Sequence, residues 1–523
     1  MNSLKTVSLT AVVLLLCSCA QLPKDYEAEK TTAITDTEDT ALGLRSIAMR
    51  QGHMDKSRVT PLIDGVDAFY ARVALVRSAE RSLDFQYFLW HKDLTGQVLL
   101  KNVLDAADRG VRVRMLLDDL DNQALDSEFY ALDTHPNISI CLFNPFATRG
   151  FKYIDFFADT ARVNRRMHNK SLTADNQYTI VGGRNIGDEY FDAQEDTNFY
   201  DFDVLVSGPA VDEVSAQFDI YWNHEAVVPV NAFKQNTATS DDLERVRTNL
   251  AEHRESALNS EYADDVRSAE IADALRGEGL AAYIGVADVV WDDPDKGLGK
   301  PPEEITTMKD LMQPYFLGAN HEIILISPYY VPGDRGVEGA LNVIEKDVTL
   351  SVLTNSYTST DSGVVHAGYS RYREPLLAGG VEIYELKSTS VLERRAGKVA
   401  YKSAASLHTK VFILDRETIF IGSLNLDPRS IDINTEMGIV FHSPEMAGKM
   451  ANTLDKEGLE HVYELKLVRS PAESKGEFTT YTWDIQWLER VDGETVHHTS
   501  EPGVGVWDSI KLFFSSLAPE SLI

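Results

Sequence analysis

Cysteine is scarce in this chain of 523 residues. Its three cysteines, Cys17, Cys19 and Cys141, are too few for a disulfide framework or a cysteine-based zinc cluster. Positive charge is also scarce, because 50 Lys and Arg stand against 81 Asp and Glu and the net charge is −31. A chain this acidic lacks the basic face of a non-specific nucleic-acid-binding protein. The composition therefore excludes a disulfide-stabilised fold and argues against a nucleic-acid partner.

The start of the chain has the pattern of a targeting segment. An uncharged run from Val7 to Cys17 follows Lys5, and its length of about eleven residues is too short to span a bilayer, which takes about 20. The run ends in Leu16-Cys17-Ser18-Cys19, which resembles a bacterial lipobox. We therefore expect a lipoprotein signal peptide over 1–18 and a lipid on Cys19. The alternative is an ordinary secretory signal with an incidental cysteine.

Residue 20 is Ala, where an Asp would favour retention in the inner membrane of a Gram-negative cell. The pattern predicts a protein that is anchored by lipid to a bacterial membrane and faces the periplasm, with the outer membrane favoured. Residues 19–58 are polar, and we expect them to form a tether between the anchor and the folded part.

Strand-like and helix-like runs alternate from about residue 62, and the same order returns about 240 residues later. The first half has predicted strands at 82–88, 111–117 and 137–143; the second half has them at 322–326, 349–353 and 381–384. This repeat predicts an α/β fold of two similar lobes, each with a mixed β-sheet flanked by helices. We place the lobes at 59–227 and 301–465, a helical connector at 228–300 and a C-terminal extension with strands and a helix at 466–523.

One polar motif occurs twice, and its key positions are 240 residues apart. The first copy contains His168, Lys170, Asp175, Gly183 and Asn185, and the second contains His408, Lys410, Asp415, Ser423 and Asn425. In an extended segment, the His and the Lys at i and i+2 point to the same side. An imidazole, an ammonium and an amide donor suit a phosphodiester, whose transition state carries negative charge on its oxygens. Two copies that face each other supply both a nucleophile and a proton donor for in-line displacement.

The pattern H-x-K-x4-D-x6-G-[GS]-x-N, present twice, resembles that of the phospholipase D superfamily, and the resemblance covers about residues 60–465. Segments 84–90, 110–119 and 425–430 are most similar to the cardiolipin synthase branch. The resemblance implies two pseudo-symmetric phospholipase D-type lobes with the active site at their interface.

The same resemblance implies a two-step reaction through a phosphohistidine. His168 is expected to attack phosphorus and His408 to act as acid and base, with the reverse assignment left open. Lys170, Lys410, Asn185 and Asn425 would bind the phosphoryl oxygens. The family's orienting carboxylates match Glu436 in the second half and Asp201 in the first, with Asp203 as a rival.

The remaining residues of the two motifs are expected to support the structure of the site. Asp175 and Asp415 are expected to bond near the base of each motif, and Gly183 and Ser423 shape its turn. Arg184 is expected to point outward into solvent, with contact to an anionic headgroup as the alternative. Cys141 is predicted to be a buried strand residue.

No metal or other cofactor is expected. The histidines show no HExxH-type spacing, and two lysines can supply the charge that a metal would give. His497 and His498 lie in a polar stretch and are expected to be solvated. His366 could belong to the substrate site or have a structural role.

The C-terminal extension has two patterns. Residues 481–491 have the pattern of a strand pair with Asp492-Gly493 near the turn. Beyond Pro502, apolar residues occur at helical spacing: Trp507, Ile510, Phe513, Phe514 and Leu517. This helix could lie in a membrane interface or pack on the protein's own surface.

The expected function is that of a phosphatidyltransferase, in particular a cardiolipin synthase that uses phosphatidylglycerol, phosphatidylethanolamine or both. A phospholipase D hydrolase that releases phosphatidic acid is the main alternative. An exported phosphodiesterase or nuclease is disfavoured by the acidity, and a non-catalytic lipid-binding lipoprotein by two complete motifs. We expect a monomer.

Overall fold

Two mixed β-sheets with flanking helices make up the two halves of the protein. The computed structural model describes residues 22–24, 26, 29–149, 152–194, 197–267, 269, 281–388, 404–456, 460–475 and 478–515. The predicted signal peptide and the lipidation site Cys19 lie outside these residues.

The N-terminal sheet contains three central parallel strands, with antiparallel strands on both sides. Its strands run in the order β9-β4-β3-β2-β5-β6-β8-β1. The strands of this half are β1 Ser57–Leu62, β2 Ser82–Tyr87, β3 Arg112–Asp118, β4 Ile138–Phe143, β5 Ser171–Ala174, β6 Tyr178–Gly182, β7 Thr197–Tyr200, β8 Asp203–Ser207 and β9 Val227–Pro229.

The C-terminal sheet repeats this arrangement in the order β20-β19-β18-β13-β12-β11-β15-β16-β17-β10. The run β3-β2-β5-β6-β8-β1 thus corresponds to β12-β11-β15-β16-β17-β10, as the sequence repeat predicted. The strands are β10 Tyr283–Trp291, β11 Glu322–Ile326, β12 Thr349–Asn355, β13 Glu382–Leu386, β14 Ala404–Leu407, β15 Val411–Leu414, β16 Thr418–Gly422, β17 Met437–His442, β18 Val462–Lys475, β19 Phe478–Val491 and β20 Glu494–His498.

Helices cover the faces of both sheets, which is why β2 and β15 are buried along their whole length. The helices are α1 Ala41–Met49, α2 Gly65–Ser78, α3 Leu94–Asp108, α4 Asp126–Leu132, α5 Tyr153–Ala158, α6 Thr160–Val163, α7 Pro209–Trp222, α8 Ser240–Leu258, α9 Glu261–Arg267, α10 Met308–Gly318, α11 Gly333–Ile344, α12 Gly363–Ser370, α13 Arg373–Ala378, α14 Pro428–Asp432, α15 Pro444–Lys456 and α16 Val506–Ser515.

The two lobes share one packed interface. Strand β1 pairs antiparallel with β10, and β7 of the first half pairs in parallel with β14 of the second. A buried apolar cluster contains side chains of both lobes, among them Val181 and Val204 on one side and Ile413 and Phe441 on the other. The interface therefore holds the two motif copies at a fixed separation.

Part of the predicted tether belongs to the folded lobe. Within 19–58, the backbone N–H of Thr31 donates to Asn223, which directly follows α7, and that of Ala33 donates to Asp219 on α7; residues 41–49 form helix α1. The side chain of Leu42 is buried in the N-terminal core. The polar composition of this segment suggested a solvated tether. In the structure, polar groups such as the N–H of Thr31 bond to the surface of the lobe and not to solvent.

The predicted connector, 228–300, also differs from a purely helical segment. It contains helices α8 and α9, but it ends in strand β10. This strand pairs with both β1 and β17 and so belongs to the C-terminal sheet. The alternation of exposed and buried side chains along Tyr283–Trp291 is the period of two that marks a strand.

The C-terminal extension forms strands β19 and β20 with a turn at Asp492-Gly493, followed by helix α16. Leu517 lies outside the described residues. None of the helices in the part of the chain that the structure describes is both long enough and apolar enough to cross a bilayer.

Candidate active site

The two His-x-Lys segments lie at the interface between the lobes. Each is an extended segment that directly precedes a strand, β5 for His168 and β15 for His408. The backbone N–H of His168 donates to the carbonyl of Thr435 at 2.8 Å, and that of His408 donates to the carbonyl of Tyr200 at 2.7 Å. Each histidine is therefore fixed by backbone of the opposite lobe.

The orienting carboxylates also come from the opposite lobe. His168 Nδ1 lies 2.8 Å from Oε2 of Glu436, and His408 Nδ1 lies 2.6 Å from Oδ2 of Asp201. A carboxylate at Nδ1 fixes the tautomer and the ring orientation, and it leaves Nε2 as the nitrogen that is available for chemistry. Each imidazole–carboxylate pair therefore exists only when both lobes are in place.

The rival carboxylate Asp203 has a different partner. Its Oδ2 atom lies 2.8 Å from Nη2 of Arg72 and 3.4 Å from Nη1 of Arg184. The prediction that Arg184 points into solvent is wrong, because its side chain is 1% exposed and donates to the carbonyls of Leu62 and Tyr190. Asp203 supplies the buried negative charge that this guanidinium needs.

Gly183 and Ser423 hold the two carboxylates in different ways. A Cβ atom at Gly183 would lie 2.1 Å from Oδ1 of Asp201, so a glycine is required for this carboxylate to reach His408. At the matching position, the hydroxyl of Ser423 donates to Oε2 of Glu436. The two halves of the site are therefore related in geometry but not identical in chemistry.

Both lysines are buried beside the histidines. Lys170 Nζ donates to the backbone carbonyl of His168 at 2.7 Å, and Lys410 makes the same bond to His408. Burial lowers the pKa of Lys170 to about 7 and that of Lys410 to about 8. An anionic phosphodiester between the two lysines would favour their charged form.

The electrostatic surroundings of the two histidines differ. Burial and the charges of Lys170 and Lys410 hold the pKa of His168 well below its ordinary value. The pKa of His408 is also lowered, by burial and Lys410, but the charge and hydrogen bond of Asp201 oppose this shift.

The carboxylates differ as well. Burial raises the pKa of Glu436 to about 7. Burial also acts to raise the pKa of Asp201, but the charge and hydrogen bond of His408, together with Lys410, outweigh it, and the pKa is lowered. Asp201 is thus the more firmly ionised partner, and it supports a positive charge on His408 better than Glu436 does on His168.

The side chains of both motif asparagines are buried. Asn185 Nδ2 donates to the hydroxyl of Tyr190 at 2.8 Å, and its Oδ1 accepts from the N–H of Leu89 at 3.3 Å. Asn425 Oδ1 is buried and has no hydrogen-bond partner within the described residues. An unpaired buried amide oxygen is costly, which is consistent with a site that gains polar contacts when it is filled.

Asp175 and Asp415 lie at the base of each motif, as expected. Asp175 accepts from the backbone N–H groups of residues 80–82, where strand β2 begins. Asp415 accepts from those of residues 320–322, at the start of β11. Both therefore join the motif hairpin to the neighbouring strand.

Aromatic rings line the site, and the sequence reasoning did not identify them. The ring centroid of Phe88 lies 5.0 Å from that of His168, and those of Phe199 and Tyr190 lie 5.1 and 5.2 Å from that of His408. Phe88 follows β2, within the segment 84–90 that carried the family resemblance, which was the available signal. The rings exclude water and restrict the motion of both imidazoles.

Three further predictions concern residues away from the two motifs. His366 has a structural place, because its Nε2 lies 2.7 Å from Oε1 of Glu501 in the C-terminal extension. Cys141 is buried in β4 and His497 is exposed, both as predicted. His498 is partly buried and lies 2.9 Å from Glu489, so the prediction that it is solvated was only partly right.

One group of side chains in the described part of the chain has the spacing of metal ligands, namely His91, Asp93 and Glu189. The Asp93 carboxylate already accepts from the N–H groups of Gly96 and Asp188, and His91 Nδ1 lies 3.1 Å from Glu189. Asp93 thus serves as the N-terminal cap of α3, and His91 and Glu189 bond to each other.

Comparisons with known proteins identify the family of the chain. The family described as "Cardiolipin synthase, PLD-like domain" matches residues 73–222 and 315–457. Cardiolipin synthase C of Escherichia coli K12 is 37% identical over 473 residues, which are 89% of this chain and 96% of that protein. A probable cardiolipin synthase of Bacillus subtilis 168 is 22% identical over 81% of this chain and 71% of its own length.

Among solved structures, phosphatidylserine synthase of Haemophilus influenzae Rd KW20 has a similar fold. The TM-score is 0.53 at 15% identity, and the match covers 81% of this chain and 92% of that one. The family match and the E. coli relative confirm the resemblance that the repeated motif indicated, and the fold has the predicted two lobes. The chain belongs to the phospholipase D superfamily of enzymes, in the family of cardiolipin synthase phospholipase D-like domains.

Proposed function

We propose that this protein is a cardiolipin synthase, which transfers a phosphatidyl group from one phospholipid to a hydroxyl group of phosphatidylglycerol. The observation that carries the proposal is the pair of histidines, each oriented by a carboxylate of the opposite lobe, beside two buried lysines. The high identity to a cardiolipin synthase over nearly the whole chain supports the choice of substrate class.

In the proposed first step, Nε2 of His168 attacks the phosphorus atom of the donor lipid. A bond forms between nitrogen and phosphorus, and the bond from phosphorus to the headgroup oxygen breaks. Protonated His408 gives its proton to that oxygen, and the headgroup leaves as an alcohol. Lys170, Lys410 and the amides of Asn185 and Asn425 stabilise the negative charge on the remaining phosphoryl oxygens.

In the second step, the hydroxyl of the acceptor lipid gives its proton to His408 and attacks phosphorus. The bond between phosphorus and His168 breaks, and cardiolipin is released with both histidines in their starting states. If water takes the place of the acceptor, the same steps give phosphatidic acid.

The electrostatic difference between the histidines supports this assignment of roles. A nucleophilic imidazole must be neutral, and the pKa of His168 is held well below its ordinary value by burial and two lysines. An acid needs a stabilised proton, and the ionised Asp201 supplies this for His408.

Attachment of the mature chain to a bacterial membrane through a lipid on Cys19, on the periplasmic side, also forms part of the proposal. Its basis is the sequence Leu16-Cys17-Ser18-Cys19 after an apolar run. An enzyme held at the bilayer by its N terminus meets its substrates at high local concentration.

The experiment uses full-length protein in vesicles of phosphatidylglycerol and phosphatidylethanolamine, with lipid products read by mass spectrometry and His168→Ala as the control. New cardiolipin that is absent in the variant supports the proposal, and isotopic labelling of each lipid in turn names the donor. Phosphatidic acid alone would favour the hydrolase. No change in either lipid would overturn both the synthase and the hydrolase.

A further inference from the structure

The C-terminal helix α16 is fixed on the C-terminal lobe, where it packs against α12. Asp508 at its start accepts a hydrogen bond from the hydroxyl of Tyr357 and another from the N–H of Gly505. Just before the helix, Glu501 lies 2.7 Å from His366 Nε2 and 2.6 Å from Arg373 Nη2. These bonds hold the helix in a definite orientation.

The loop under this helix borders the active site. It follows strand β12, where the side chain of Asn355 donates to and accepts from the backbone of Leu407, the residue before His408. Asp361 in the same loop accepts from the hydroxyl of Tyr329 at 2.8 Å, and its charge acts on His408. Helix α16 therefore lies beside the His408 side of the catalytic site.

The outer face of the helix carries two apolar side chains beside Lys511, which is four residues after Trp507 and 75% exposed. Trp507 is 77% exposed and Ile510 is 43% exposed. Residues three apart share one face of a helix, and here that face points away from Asp508 and the lobe. With 77% of its surface exposed, Trp507 makes little contact with the described part of the chain. Tryptophan prefers the boundary between water and lipid, where an apolar ring and a polar N–H are both satisfied.

We infer that Trp507 and Ile510 insert into the surface of the bilayer that contains the substrate, and that they orient the catalytic site toward it. This inference rests on the proposed function. On the helix, Asp508 lies 3.6 Å from Lys511, so these two charges offset each other. The chain as a whole has a net charge of −31. The contact is therefore apolar, and it persists in high salt and on zwitterionic lipid.

Fluorescence quenching tests the contact itself. Full-length protein is reconstituted into phosphatidylcholine vesicles with brominated acyl chains, and the parent is compared with Trp507→Phe and with Trp483→Phe, which removes another exposed tryptophan. Loss of most of the quenchable fluorescence in Trp507→Phe alone supports the inference. Equal quenching in Trp507→Phe and the parent overturns it. A parent that is dimeric and becomes monomeric on Trp507→Ser, with no quenching of Trp507, would assign the face to a second copy and overturn it as well.

Activity measurements test the orienting role. We expect Trp507→Ser with Ile510→Ser to lower turnover of vesicle lipid about ten-fold and to leave turnover of a dispersed short-chain phosphatidylglycerol unchanged. Leu258→Ser, on helix α8, is the matched control because Leu258 is also an exposed apolar side chain. Equal losses on both substrates would overturn the inference. If the parent turns over neither lipid, the proposed function fails, and the quenching experiment still decides the bilayer contact.

Discussion

The Nδ1 atom of His168 lies 2.8 Å from Oε2 of Glu436, a residue 268 positions later in the chain and in the opposite lobe. The reciprocal pair, His408 and Asp201, crosses the interface in the other direction. Neither lobe alone therefore contains an oriented histidine. This exchange gives a physical reason why both copies of the motif must be present in one folded unit.

Removing either carboxylate's charge should impair catalysis while the fold is kept. We expect Glu436→Gln and Asp201→Asn each to lower kcat by about 10²-fold or more, because the amide no longer fixes the correct tautomer of its histidine. Steady-state kinetics on vesicle lipid measure this, with circular dichroism as the check on folding. Wild-type kcat in both variants would contradict the assigned role of the pairs.

Asp203→Asn serves as the matched control, because this carboxylate lies close to Asp201 in sequence but bonds to Arg72 and Arg184. We expect its main effect to be on stability, since two buried guanidinium groups lose their counter-charge. A normal melting temperature with lost kcat would assign it a role in catalysis instead.

On the alkaline side, kcat/KM should fall first as His408, whose pKa is lowered by burial and Lys410, loses the proton that it donates, and then further where the lysines titrate. Each lysine must be protonated to stabilise the phosphoryl oxygens, and burial lowers the pKa of Lys170 to about 7 and that of Lys410 to about 8. The rate should therefore fall as the pH rises through this window. In Lys170→Arg the guanidinium stays charged. Only Lys410 then titrates in this window, so the fall in rate due to the lysines should begin nearer pH 8. An unchanged fall across this window in the variant would show that Lys170 does not contribute to it.

On the acid side, the rate should rise as His168 loses its proton. Because the pKa of His168 lies well below its ordinary value, this rise in rate should occur at a pH well below 6.5. An acid limb at or above pH 6.5 would contradict a neutral, buried nucleophile at this position.

Gly183 should not tolerate any side chain. Its Cβ would lie 2.1 Å from Oδ1 of Asp201, so Gly183→Ala should displace that carboxylate and disorient His408. We expect a loss of kcat comparable with that of Asp201→Asn. Ser423→Gly is the matched variant in the other half. It removes one hydrogen bond to Glu436, and we expect a loss of only about ten-fold.

The aspartates at the base of the motifs should act on stability. Asp175→Ala leaves three backbone N–H groups, one buried and two partly buried, without an acceptor, and we expect the free energy of unfolding to fall by about 2–4 kcal/mol. Asp415→Ala should cost less, because water reaches the half-buried Asp415. Denaturant titration measures both, and an unchanged midpoint for Asp175→Ala would contradict this role.

Much of the fold follows from the sequence because the repeat constrains it. The strand predicted at 322–326 is observed at Glu322–Ile326, and the other predicted strands differ by one or two residues at their ends. These strands are short apolar runs bounded by turns, so local sequence determines them. Strand β10 was missed because Gly285 and Asp288 interrupt the apolar run that marks the buried strands.

The site could be predicted only in part. Motif spacing identified the His–Lys–Asn sets, but nothing local shows that Glu436 serves His168, because this depends on how the lobes dock. Arg184 was expected in solvent on its type alone, whereas Asp203, 19 residues later, makes its burial favourable. The aromatic residues Phe88 and Phe199 reach the histidines only in the folded protein.

The proposed mechanism depends on a covalent bond between His168 and the phosphatidyl group. The most direct measurement is rapid quenching of full-length protein during turnover of phosphatidylglycerol, under alkaline conditions that preserve phosphohistidine, followed by peptide mass spectrometry. We expect a phosphatidyl group on the peptide that contains His168 and none in His168→Ala. A modification on His408 instead, or none on either histidine, would contradict it.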